Sequence, residues 1–167
     1  MCIAIIFGVC PSNDADRLRQ VFLRAMSATG ATIADRRSEL IDNGDDGFHF
    51  VVWGSDALDC HVYPFPVLPE LLALPAHARH HPALMAINRE SYACFTIEPS
   101  PFLGPLDEIQ FKRVALAVAD LIDDSALAIL DLMGRRLARV EALTIERLRS
   151  NDPGSAFCDA ITLPRHA

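Results

Sequence analysis

The chain carries none of the short signatures by which small enzymes announce their chemistry. No GxSxG elbow, Walker loop or dinucleotide fingerprint occurs in its 167 residues, so serine-triad, nucleotide-triphosphatase and Rossmann readings lose their usual support. No CxxC pair exists among the five cysteines, Cys2, Cys10, Cys60, Cys94 and Cys158. Their odd number and wide spacing argue against a zinc ribbon or a thioredoxin-type site. A free thiol inside an apolar run behaves as a small hydrophobe, and a cytoplasmic, reducing setting is expected. Basic charge is short as well. The net charge is −7, whereas a non-specific grip on nucleic acid or an anionic membrane needs a basic stripe. No run is long enough to span a bilayer. The apolar start lacks a positive n-region, and Asp14 and Asp16 follow it, so a signal peptide is not expected. No tandem repeat or low-complexity segment interrupts the chain.

What is present is a strand-then-helix pattern that occurs twice. Hydrophobic residues make up 51%, enough for a sizeable core. Cys2–Val9 is apolar at every position, as in a central strand covered on both sides. Asn13 is placed to cap a helix through Ala28, with Leu18, Val21, Phe22, Ala25 and Ala28 on one stripe and Gly30 as its stop. Ala31–Ile41 is compatible with an edge strand. A hairpin follows, in which Phe48, Phe50, Val52, Leu58, Cys60 and Val62 form an apolar face. Pro64-Phe65-Pro66 is expected to end its second strand, since proline cannot donate to a ladder. Leu68–Leu74 is a short helical piece. Ala83–Ile87 and Tyr92–Ile97 are compatible with a second hairpin. Asp107–Ile122 is strongly helical, with Phe111, Ala115, Val118 and Ile122 on one face and a capping-box spacing at Asp107 and Gln110. Ala126–Leu132 is another buried strand, ended at Gly134, and Glu141–Arg149 is a last helix.

These elements predict an α+β fold. It is a two-layer α/β sandwich with a mainly antiparallel or mixed sheet, two long helices on one face, and a ferredoxin-like or related split βαβ layout. Residues 1–150 form the expected single domain, and 151–167 a loose C-terminal tail.

Several residue groups are weighed as sites. The opening Met1-Cys2-Ile3-Ala4-Ile5 resembles the start of glutamine amidotransferases, which implies an N-terminal cysteine nucleophile. Ile3 stands where that family has glycine, and burial in the first strand is the stronger reading. Cys10, before a helix N-terminus, is separated from Arg17 by six residues and resembles the Cys–Arg loop of phosphatases. That loop has a five-residue gap and lacks the acidic Asp14 and Asp16 found here, so a thiol at a turn is preferred. His77 and His81 share a helical face at a metal-site spacing, beside His80, but have no spaced third ligand. The acidic turn Asp42–Gly47 lacks the calcium-loop pattern.

The preferred site is the other face of the central hairpin. Cross-strand partners share a face, so even residues pair with even. The tightest such register leaves Gly54-Ser55-Asp56 as the loop, pairs Trp53 with Ala57, Val51 with Asp59, and His49 with His61. The second face then carries His49, Trp53, Asp59, His61 and Tyr63, a mix of aromatic and ionisable groups suited to a protein partner or small ligand. The bland alternative is that a helix or the tail covers this face. The sequence is therefore read as a non-catalytic binding protein without nucleic-acid or membrane partners, and no cofactor is expected. A small enzyme using His49, His61 or Cys10 is the second reading. No tightly held catalytic metal is expected, because His49 and His61 supply two ligands and Asp59 sits two residues along the strand.

Overall fold

The computed structural model describes residues 3–9, 15–30, 37–42, 48–53, 58–66, 92–99 and 108–163, with strands 37–42, 48–53, 58–66 and 92–99 described at the level of backbone pairing. Eight strands form one sheet: β1 (Ile3–Phe7), β2 (Arg37–Asp42), β3 (Phe48–Trp53), β4 (Leu58–Pro66), β5 (Tyr92–Pro99), β6 (Ala126–Asp131), β7 (Arg136–Arg139) and β8 (Ile161–Thr162). Their spatial order is β2-β3-β4-β5-β1-β6-β7-β8. Every pairing among them is antiparallel. Three α-helices are described: α1 (Ala15–Ala28), α2 (Glu108–Leu121) and α3 (Ala142–Arg149). The α+β class and the antiparallel sheet agree with the sequence reading.

β1 is the axis of the fold. All five of its residues are buried, as an apolar run without alternation requires of a strand covered on both faces. Ile3, Ile5 and Phe7 pack with Val21, Ala25 and Met26 of α1 and with Val114, Ala117, Val118 and Leu121 of α2. Leu148 of α3 joins the same cluster. Both long helices thus lie on one face, as their apolar stripes predict. On the other face Ala4 and Ile6 cluster with Ala128, Leu130 and Leu137, with Ile161 and Leu163 packed against them.

The buried helix faces share most of their described positions with the predicted stripes and differ at the margins. In α2 the buried set is Gln110, Arg113, Val114, Ala115, Ala117, Val118, Ala119 and Leu121, and Phe111 is only half-buried. Arg113 is drawn inward because its Nε donates to Thr29 Oγ1 at 2.6 Å, which ties the end of α1 to α2. Met26 is buried while Ala28 is exposed. Gly30 does end α1, at φ 79°, the left-handed geometry that glycine adopts without a Cβ penalty. Asn13, Asp107 and the segments Leu68–Leu74 and Ala83–Ile87 lie outside the described residues, as does the Phe22 side chain.

Two differences concern strand ends. β4 runs through Pro66, not stopping at Pro64. A register shift between Val62 and Phe65 gives it one extra residue relative to β5. Such a bulge leaves a residue out of the ladder, and that is where a proline, lacking a donor, fits. Beyond Asn151, where a loose tail was expected, Pro153–Phe157 is a 3₁₀ helix that buries Pro153, Ala156 and Phe157. Ile161–Thr162 then extends the sheet beside β7. Phe157 is the reason: its apolar surface stabilises the segment when it is covered by the helix-side core.

Candidate functional site

The hairpin register is the predicted one. Phe48 pairs with Val62, His49 with His61, Phe50 with Cys60, Val51 with Asp59 and Val52 with Leu58. Trp53 pairs with Arg37 of β2; its expected partner Ala57 lies outside the described residues. The register can be followed across the sheet to decide which face each position occupies, since directly paired residues share one. His61 pairs with Thr96, and Thr96 with Ala4. Ala4 belongs to the cluster opposite the helices. His49, Val51, Asp59 and His61, and Trp53 by alternation, therefore occupy the face that carries none of the described α-helices. Cys60 pairs with Ile97, and Ile97 with Ile3, so the apolar set Phe48, Phe50, Cys60 and Val62 shares the helix side.

Tyr63 stands apart. It lies within the β4 bulge, which interrupts the alternation that groups it with His61.

The neighbouring strands add positions that the hairpin alone does not show. Ile41 pairs with His49, and Glu39 with Val51. Asp59 pairs with Glu98. The face is thus built from rows: Ile41–His49–His61–Thr96, and beside it Glu39–Val51–Asp59–Glu98. The acids Glu39 in β2 and Glu98 in β5 were the available signal, but β5 pairs with β4 across 25 intervening residues (67–91), and nothing local specifies that partnership.

The remaining described polar clusters are accounted for by structure. Asp131 is 2% exposed. Its Oδ1 accepts the Gly134 N–H at 2.9 Å, and its Oδ2 accepts from Arg136 Nη2 at 2.8 Å. The Arg136 guanidinium lies 5.0 Å from the Phe157 ring centroid, so the four-residue turn from β6 to β7 is locked onto the C-terminal segment. A cleft of about 230 Å³ between β7, α3 and the 3₁₀ helix is lined by Arg139, Glu141, Leu143, Thr144, Arg147 and Asp159. Its charges pair with one another, Arg147 with Asp159 at 3.0 Å and Arg139 with Glu141 at 3.7 Å. Arg17, the arginine of the phosphatase-like comparison, lies 3.9 Å from Asp123. Cys2, Cys10, His77, His80 and His81 lie outside the described residues. Cys158 is a free, exposed thiol. Among the described side chains no group of three or more His, Cys, Asp or Glu could hold a metal ion. Among the described residues no helix is long and apolar enough to cross a membrane. No protein-family model, curated protein or solved structure matches the chain.

Proposed function

We propose that the protein is a non-catalytic cytoplasmic binding protein, and that its β3–β4 hairpin meets a protein partner or small ligand through His49, Trp53, Asp59, His61 and Tyr63. The observation that carries this reading is the register, which gathers His49, His61, Trp53 and Asp59 on the face opposite α1, α2 and α3. Aromatic and ionisable groups mixed on one sheet face suit recognition better than packing. The apolar partners of the same hairpin are already assigned to the helix side. The layout we propose is ferredoxin-like. In β4-β5-β1-β6, α1 follows β1 and α2 joins β5 to β6, and β2 and β3 extend the sheet beyond β4. That is the strand order of a split βαβ unit.

Trp53 is the single tryptophan of the chain, so its fluorescence reports on this face alone. The test compares the intact protein with Trp53→Phe and His61→Ala as immobilised baits, far-UV circular dichroism confirming that each folds. A stoichiometric partner retained by the parent, lost by His61→Ala and shifting the Trp53 emission in solution is expected. Equal capture by parent and His61→Ala, with unchanged emission, would place the interaction elsewhere.

A further inference from the structure

We infer that the cleft between β7, α3 and the 3₁₀ helix binds one free α-amino acid with an aliphatic side chain. The site uses none of the hairpin residues and does not rest on the reading of that face. The charged lining of the cleft is two arginines, Arg139 and Arg147, and two acids, Glu141 and Asp159. A ligand of one sign is repelled by half of that set, whereas a zwitterion finds a partner for each of its charges. The deep part of the cleft is lined by small side chains. Ala138 and Ala156 are 5% and 4% exposed. The Thr144 hydroxyl is turned to the backbone, where Oγ1 donates to the Arg139 carbonyl at 2.8 Å. The volume of about 230 Å³ is below the roughly 300–1,000 Å³ of pockets for drug-sized ligands, which selects a molecule of amino-acid size.

Arg147 is the anchor for the ligand carboxylate. Its side chain is 30% exposed, while that of its partner Asp159 is 85% exposed. The arginine is thus held against the protein and the aspartate stands in water. The bond to Asp159, 3.0 Å long, runs from Nη1. A guanidinium presents five N–H donors in a planar fork, so a second carboxylate can dock on the same group. The ligand ammonium is met by the two acids. Glu141 contacts Arg139 at 3.7 Å, and both side chains are more than half exposed. An ion pair of that kind contributes little, so it yields to a ligand. Leu143 supplies the apolar contact. It is 51% exposed, a large side chain from which an aliphatic ligand displaces water. Leu143 and Arg147 are four residues apart on α3, which sets their Cβ atoms about 5–6 Å apart on one face. The apolar and the cationic lining are therefore within reach of one small molecule.

The test is a titration of the isotope-labelled full chain with L-leucine, followed by amide NMR shifts. Saturating shifts at Thr144, Arg147 and Ala156 are expected. Isocaproate, which lacks the ammonium, and isoamylamine, which lacks the carboxylate, should each bind at least about tenfold more weakly, since each loses a charge-assisted bond. Arg147→Gln should weaken L-leucine by at least about tenfold, and Leu143→Ser, at an exposed position, should weaken it less. Circular dichroism confirms that both variants fold. Glu146→Gln, on the exposed side of α3 and outside the cleft lining, should bind as the parent does. Absent saturation, isocaproate binding as tightly as L-leucine, or a folded Arg147→Gln that binds like the parent would each overturn the site. Shifts confined to β3 and β4 would place the ligand on the hairpin face and overturn the cleft, while leaving the hairpin reading intact.

Discussion

Two rows of residues cross the same eight strands side by side and differ in almost every position. On the helix side the row reads Leu40, Phe50, Cys60, Ile97, Ile3, Asp131, Arg136, Thr162. On the opposite side it reads Ile41, His49, His61, Thr96, Ala4, Leu130, Leu137, Ile161. The first is apolar from β2 to β1 and polar from β6 to β8. The second is polar from β3 to β5 and apolar from β1 to β8. The polar character changes face at β1, the strand buried on both sides. A sheet of this kind has two half-faces for packing and two for polar work. In the β6–β8 half the polar positions are consumed by the fold, as the Asp131–Arg136 bridge under Phe157 demonstrates. In the β3–β5 half the register sets the polar positions His49, His61 and Thr96 side by side on one face, and the functional proposal is placed there.

The comparison breaks most sharply at its apolar axis. Phe7→Ala removes a fully buried ring from the helix side. Lost transfer energy plus a cavity should cost about 3–5 kcal/mol, read by denaturant unfolding at constant m-value. A loss under about 1 kcal/mol would mean that the two helices do not depend on β1.

Asp131→Ala tests whether the polar end of the helix-side row is structural. Breaking a fully buried pair costs about 3–5 kcal/mol. Arg136, whose side chain is 36% exposed, regains part of its hydration, so about 2–3 kcal/mol is expected here. Asp131→Asn, which keeps an acceptor for the Gly134 N–H, should lose less. Equal losses would locate the effect in the ion pair and not in the turn.

Gly134→Ala sharpens the same point. An added Cβ would collide with the Asp131 carboxylate and come within 2.9 Å of Arg136 Nε. Overpacking of this kind costs about 1–3 kcal/mol, and thermal melting should show no additional loss when Asp131→Ala is already present. Full additivity in that double variant would separate the turn from the bridge.

The opposite face is sharpened by Ile6→Val. Ile6 is 1% exposed, and losing one methylene there should cost about 0.5–1.5 kcal/mol, as in a second packed layer. No measurable change would mean that this face is covered only loosely. The smallest effect belongs to the helix surface. Asp120 accepts from Arg149 at 3.0 Å and pairs with Arg24 at 3.3 Å. Both arginines are more than half exposed, so Arg149→Ala should change stability by less than about 1 kcal/mol, and less again in high salt.

Local pattern alone determined the central strand, both long helices, the stop at Gly30 and the register that sets His49 against His61. Each depends on contacts within a few residues: an unbroken apolar run, a 3.6-residue stripe, a glycine at positive φ, and even-with-even pairing across a short turn. Tertiary structure decided what those pieces meet. It set β5 between β4 and β1, so that Glu98 falls opposite Asp59. It buried Arg113 of α2 against Thr29, opened a bulge where Pro64 would have ended a strand, and folded Pro153–Phe157 back onto the core. These outcomes depend on which distant surfaces are buried together. A side chain's own periodicity carries no information about the strand, 25 or more residues away, that becomes its neighbour.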